Sequence, residues 1–325
     1  MPASILNYQK WIEQEIKKQK YGKQPVSLYA PITYLMGLGG KRLRPMLTML
    51  SYALFKDDVK RIVPYAIAVE TFHNFTLMHD DIMDKAPLRR GKATVHKKWN
   101  VNTAILSGDV MLVKVYEMFH HLEAETFKTV VKAFNKCAAG VCEGQQWDME
   151  FETTDKVSEA EYINMIRLKT AVLLGFGLEL GAILANASEA DRKALRNFGI
   201  NIGIGFQLKD DLLDAYADPK KFGKQVGGDI IANKKTWLLI KALEKAEGKI
   251  KQELSMWLAA KKFNKQEKVN AIKGIYNTLH IPSLAEKKVD LYFAKGFQNL
   301  ESTKISDHKK QLLKDFAKDL IARQS

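Results

Sequence analysis

The chain has 325 residues, 46% hydrophobic and 27% charged, proportions that allow a sizeable core and exclude wholesale disorder. Lys and Arg number 51 against 37 Asp and Glu, a net charge of +14, so anionic small molecules, nucleic acid and membrane surfaces all stand as partners until the location of the charge chooses among them. Two cysteines, Cys137 and Cys142, are too few for a disulfide framework; with no Cys/His cluster at zinc spacing they point to a reducing, cytoplasmic setting.

The first stretch, MPASILNYQKWIEQE, meets Glu and Lys before any apolar run forms, unlike a secretory signal. Apolar residues then recur at three- and four-residue spacing, as in Ile62, Tyr65, Ala66, Val69, Phe72 and Leu77, or in Phe198, Ile202, Phe206 and Leu213. The pattern predicts an all-α protein of roughly ten or more helices. Alternating strand patterns with Asn-Gly or Asp-Gly turns are missing. Breaks at GLGGKRLRP, KAPLRRGKAT, ETTDKVSE, ANASEADR, YADPKKFGKQVGGD and LHIPSLAE are short and evenly spread, so one domain over residues 1–325 is expected. The most apolar run, AVLLGFGLELGAILA, is shorter than the ~20 residues of a membrane span and carries Glu179, which predicts a buried helix and no stable membrane insertion. The Lys-rich C-terminal third, with KALEKAEGKIKQEL and HKKQLLKDFAKDL, alternates charged and apolar residues as solvated amphipathic helices do.

Two stretches depart from this plain helical grammar. In HDDIMDKAP, Asp80, Asp81 and Asp84 have three- and four-residue spacing on one side of a helix that Pro87 should end near residue 85. FQLKDDLLDAYADP repeats the arrangement with Asp210, Asp211 and Asp214 before Pro219. Carboxylates at a helix C-terminus oppose its partial negative charge by ~0.3–1 kcal/mol each and repel one another, so something positive must complete them. Oxygen donors without His or Cys suit a hard cation, and Mg2+ is usually held by one or two carboxylates plus substrate phosphates. Facing triads would then hold one diphosphate through bridging metals.

Basic residues stand beside both triads. GLGGKRLRP brings Lys41, Arg42 and Arg44 through a glycine-rich loop to a helix start near Pro45, an arrangement suited to an anion though not a Walker loop. PLRRG adds Arg89 and Arg90 after the first triad; KKFGKQVGGDIIANKK adds Lys224 and Lys234 after the second. His73 lies two helical turns before Asp80, on the same face. Acidic triads beside the arginines would repel a phosphate backbone without metal, which argues against nucleic acid.

Taken together, the two DDxxD motifs, GGKRLRP, LRRG, the KT of IRLKT, GFQLKDDLLD and GKQVGGDI resemble the trans-isoprenyl diphosphate synthases from about residue 30 to 240. The resemblance implies one all-α domain around a central prenyl cavity, a homodimer, and Mg2+-dependent head-to-tail condensation of isopentenyl diphosphate with an allylic diphosphate. By that likeness Asp80, Asp81, Asp84, Asp210, Asp211 and Asp214 hold the metals, and Arg89, Lys169, Lys224 and Lys234 contact the allylic diphosphate. Lys41, Arg44, His73 and Arg90 bind isopentenyl diphosphate, and Thr170 and Gln207 stand near the developing cation. GKQVGGDI departs from the GKxGxD spacing by one residue.

In the family, bulk at the fourth or fifth position before the first Asp floors the product tunnel. Here those positions hold Thr76 and Phe75, with Phe72 a turn further down, a pattern similar to short-chain enzymes making geranylgeranyl diphosphate, with farnesyl diphosphate the alternative. A terpene cyclase would typically carry an Asn/Ser/Glu second metal motif where this chain has DDLLD. A non-catalytic subunit of a heteromeric synthase would often lack one triad, and here both are whole.

Overall fold

The computed structural model describes residues 3–217 and 227–322. In chain order the first helices are α1 (Ala3–Lys18), α2 (Val26–Met36), α3 (Leu43–Ala53), α4 (Val63–Met83), α5 (Val95–Lys98), α6 (Val101–Phe119), α7 (Ala124–Thr153) and α8 (Glu159–Ile166). They are followed by α9 (Val172–Leu184), α10 (Glu189–Tyr216), α11 (Gly228–Ile231), α12 (Trp237–Lys245), α13 (Gly248–Ala259), α14 (Lys265–Thr278), α15 (Ile281–Glu301) and α16 (Asp307–Ala322). The all-α expectation holds, and among the described residues no helix is long and apolar enough to cross a membrane.

The chain divides into two compact units. The first comprises Met1–Ala138, Leu173–Arg196 and Thr303–Leu313. Its centre is α4, which packs against α1, α2, α3 and α6. Every residue from Ala66 to Phe72 on α4 is buried, as befits a helix covered on several sides rather than on one stripe. The charged member of that run, Glu70, accepts from Arg42 at 2.8 Å. Below the first triad, Phe134 gathers Phe72, Tyr116, Phe119 and Phe176 at centroid distances of 5.0, 5.3, 6.0 and 5.6 Å, within the range where edge and tilted ring pairs attract. The apolar run read as a buried helix is α9. Gly181 there crosses α3 so closely that a Cβ would lie 2.2 Å from the Thr48 carbonyl oxygen, while Ser51 Oγ donates to the Leu178 carbonyl at 2.6 Å. Glu179 is paired with Arg196 at 3.0 Å.

Between α4 and α5 the structure adds an element that the sequence pattern showed only as a break. Strands β1 (Leu88–Arg89) and β2 (Lys92–Ala93) pair antiparallel, Leu88 opposite Ala93 and Arg89 opposite Lys92. The two-residue turn places Arg90 at φ 52° and Gly91 at φ 71°, the doubly left-handed turn whose twist suits a hairpin. Two-residue strands are too short to reveal alternation. Tyr34 Oη donates to the Ala93 carbonyl at 2.8 Å, tying the hairpin to α2.

The second unit comprises Ala139–Val172, Asn197–Ser302 and Lys314–Ser325. Helix α8 begins with a capping box between Ser158 and Glu161 and passes into a π turn, Arg167–Ala171. Such bulges are frequently found at functional sites, and this one carries Lys169 and Thr170. Glu159 joins α8 to α12 and α15 through Lys241 and Lys288, each at 2.5 Å. The last two turns of α10 present the second triad, and the helix ends at Tyr216; Pro219 and Lys224 lie outside the described residues.

Candidate active site

In the first unit, α4 ends one residue before Asp84, close to where the following proline predicts. The triad does not act as one patch. Adjacent helical residues are about 100° apart, and this turns Asp81 inward to 2% exposure while the Asp80 side chain keeps 22% and Asp84 is exposed. Arg89, projected by β1, clasps the buried carboxylate as a fork: Nε donates to Oδ1 at 2.9 Å and Oδ2 at 2.8 Å, and Nη2 donates to Oδ1 at 2.8 Å. Its Nη2 also lies 3.8 Å from Asp80 Oδ2. Part of the positive charge that three carboxylates at a helix C-terminus demand is therefore supplied within the chain.

Arg90, at the hairpin tip, donates from Nη1 to the Gly39 carbonyl, bringing the LRRG turn and the GLGGKRLRP loop together. In that loop Lys41 is exposed. Arg42 is a structural clasp, donating to Glu13, Glu70 and the Met36 carbonyl at 2.8, 2.8 and 2.7 Å. Arg44 is different: its Nε is buried without a hydrogen-bond partner, and burial lowers its pKa to about 10. An orphaned guanidinium donor is an invitation to an anion. Burial, and then the field of Arg44, Arg90, Arg89 and Arg42, push the His73 imidazole well below its usual range, so it is neutral at pH 7. A bound anion would oppose that field.

Upstream on α4, Phe75 lies between Phe72, at 5.5 Å, and His79, at 4.8 Å. Thr76 Oγ1 donates to the His73 carbonyl at 2.8 Å. Phe72, at 1% exposure, belongs to the aromatic core around Phe134.

In the second unit the middle aspartate is again the buried one. Asp211 is 5% exposed, whereas Asp210 and Asp214 are half-buried. Tyr162 Oη donates to Asp211 Oδ2, and Gln207 Nε2 donates to Oδ1 at 3.2 Å. Thr170 Oγ1 donates in turn to Gln207 Oε1 at 3.2 Å, so the two polar residues singled out from the sequence form one chain ending on the triad. Burial raises the Asp211 pKa to about 7, against the lowering effect of the Tyr162 bond. Asp214 anchors the segment that follows: its carbonyl accepts from Gly227 N at 2.6 Å and its Oδ2 from Asp229 N at 3.0 Å.

Lys169 and Lys234 converge on a residue the sequence did not single out. Asp148 Oδ2 is 2.5 Å from Lys169 Nζ and 3.6 Å from Lys234 Nζ. Burial works to raise the Asp148 pKa, and the two lysines hold it below the ordinary carboxylate range. One acid among several within the 30-residue α7 gave no signal. Tyr162 and Glu70 were equally silent, whereas Asp229, set after Gly227-Gly228 at a helix start, had a readable context.

Among the described residues no group of three or more His, Cys, Asp or Glu side chains is gathered so as to hold a metal by itself. The donor set nevertheless fits a hard cation completed by its ligand. Each triad shows carboxylate oxygen only, and its outer aspartates are less buried than the middle one, a donor set of the kind Mg2+ takes when phosphates fill the remaining positions.

Comparison with known proteins places this arrangement. The polyprenyl synthetase family model matches residues 25–276. A geranylgeranyl pyrophosphate synthase of Geoglobus acetivorans is 43% identical over 238 residues, 72% of this chain and 74% of that protein. A geranylgeranyl diphosphate synthase of Sulfolobus acidocaldarius is 37% identical over 316 residues, 95% and 94% of the two chains. A crystal structure of a geranylgeranyl pyrophosphate synthase matches with TM-score 0.94 and 43% identity over the whole of both chains. Matches of this extent and identity, on a helical frame ending in two aspartate triads, make the chain a member of the polyprenyl synthetase family and its activity that of a prenyltransferase.

Proposed function

We propose that this prenyltransferase is a Mg2+-dependent head-to-tail synthase that joins isopentenyl diphosphate to an allylic diphosphate, with geranylgeranyl diphosphate as product and farnesyl diphosphate as the shorter alternative. The observation that carries the reading is the matched build of the two triads: in each the middle aspartate is buried and oriented by a protein donor, Asp81 by Arg89 and Asp211 by Tyr162, beside two further carboxylates, Asp80 and Asp84 or Asp210 and Asp214, so that oxygen donors for a hard cation are concentrated at both helix ends. All six aspartates are the proposed ligands of the cation, and Asp81 and Asp211 also orient their neighbours. Held by these carboxylates, Mg2+ would supply positive charge against that building on the departing diphosphate. Arg89, Lys169, Lys224 and Lys234 hold the allylic diphosphate, and Lys41, Arg44, His73 and Arg90 hold isopentenyl diphosphate. The orphaned Arg44 donor and the neutral His73 support an anion beside them. Gln207 and Thr170 are the polar groups near the developing cation. No protein nucleophile is required, since preorganised charge does the stabilising.

Phe75, the bulk of the last turns before Asp80, sets product length. A cytoplasmic homodimer acting as one domain over residues 1–325 is the proposed working form. It is supported by the outer face of α6, where Val101, Ile105 and Val113 keep 45, 41 and 56% exposure at four- and eight-residue spacing, a stripe that a second copy would cover.

The test is incubation of purified protein with Mg2+, labelled isopentenyl diphosphate and each allylic primer in turn, followed by product sizing. Twenty-carbon product abolished by EDTA is expected. No incorporation with any primer would identify a non-catalytic subunit, and consumption of the primer without isopentenyl diphosphate a cyclase. Activity undiminished by EDTA would remove the metal assignment.

A further inference from the structure

Lysine is almost never fully buried unless paired, yet Lys268 on α14 has 0% exposure. Its partners are neutral. Nζ donates to Asn233 Oδ1 at 2.6 Å and reaches the Ile231 carbonyl at 3.5 Å, and it lies 4.2 Å from the Phe263 ring centroid. A methionine would fill the same volume without a buried charge, so packing alone does not account for an ammonium here. What the ammonium adds is a fixed point on the segment from Gly227 to Lys234.

That segment is held at both ends. At its start, Gly227 (φ 82°) lies so close to α14 that a Cβ would be 2.7 Å from Val269, and the backbone of Gly227 and Asp229 binds Asp214. At its end, Asn233 takes the left-handed conformation, φ 54°. It accepts from Lys268 and donates from Nδ2 to the Leu258 carbonyl at 3.0 Å. The next residue is Lys234, whose N–H donates to the Asp229 carbonyl at 2.9 Å. Lys268 is therefore one side chain removed from the residue that delivers Lys234 to its place 3.6 Å from Asp148.

We propose that Lys268 is a positioning residue for allylic diphosphate binding: by clamping Asn233 it fixes the direction in which Lys234 leaves the end of α11. The inference rests on the role given to Lys234 above. Lys268 itself touches neither substrate.

Lys268→Met keeps the packing and removes the donor. The loss of one charge-assisted hydrogen bond that orders a ligand contact raises the KM for the allylic primer about tenfold, with the KM for isopentenyl diphosphate unchanged. In a Lys234→Ala background the same substitution adds nothing further to the allylic KM, because the contact it positions is gone. Far-UV circular dichroism and thermal midpoint control for folding; if Lys268→Met does not fold, Asn233→Ala removes the acceptor and gives the same reading. A lowered midpoint with both KM values unchanged overturns the proposal, leaving Lys268 a plain core residue. An equal loss with and without Lys234 also overturns it. If Lys268→Met raises the allylic KM and Lys234→Ala does not, the diphosphate role of Lys234 falls and the proposed route through it is overturned with it, whereas a rise in Lys234→Ala without one in Lys268→Met overturns the clamp alone.

Discussion

Replacing Arg89 with alanine strips three hydrogen bonds, at 2.8 to 2.9 Å, from a carboxylate that is 2% exposed. Removing one partner of a fully buried pair typically costs ~3–5 kcal/mol, whereas an exposed pair is worth ~0–1 kcal/mol. The Arg89 side chain keeps 23% exposure, so water refills part of the gap, and the expected loss of unfolding free energy lies between these limits, at about 2–4 kcal/mol. The measurement is denaturant unfolding of wild type, Arg89→Ala, Asp81→Ala and the double variant. Because the penalty in Arg89→Ala comes from the stranded carboxylate, removing Asp81 as well should recover part of it, giving a coupling energy of at least ~1.5 kcal/mol. Salt should change that coupling little, since a buried pair is poorly screened. Additive losses below ~1 kcal/mol each, or a coupling that vanishes in high salt, would refute the view that Arg89 completes the first triad structurally.

Gly181→Ala pushes a methyl group to 2.2 Å from the Thr48 carbonyl oxygen and is expected to destabilise by at least the ~1–3 kcal/mol of ordinary overpacking, read from the denaturation midpoint; an unchanged midpoint would mean that α3 and α9 move apart freely. Phe75→Ala removes the bulk above Phe72 and is expected to lengthen the product on reversed-phase chromatography; an unaltered product spectrum sinks the assignment of Phe75 as the floor. Glu159, drawn down to about 2 by Lys241 and Lys288 against the burial that would raise it, has a depressed folded-state pKa. Its contribution to stability is thus full above the unfolded value near 4.5 and is lost as pH falls toward 2. Glu159→Gln should flatten the dependence of the thermal midpoint on pH between these values, and an identical slope in both proteins would show that the two lysines do not hold the carboxylate.

Local geometry is what the sequence determined. Helical periodicity depends on neighbours three and four residues away, so the all-α class, α4, α10 and the end of α4 just before Pro87 could be read directly. So could the two aspartate triads and the cations beside them, since motif and charge are properties of the sequence itself. Which carboxylate of each triad turns inward was decided only by tertiary structure, because burial is imposed by residues distant in the chain. Tyr162 is 49 residues from Asp211, Asp148 is 21 from Lys169, and Lys268 is 35 from Asn233. The hairpin that separates Arg89, turned to Asp81, from Arg90, turned to Gly39, was hidden for another reason: two-residue strands are stabilised by what they pack against, such as Tyr34 on Ala93, rather than by a pattern of their own. One chain thus carries its chemistry in motifs that spacing announces, and the support for that chemistry in single residues that only folding brings alongside.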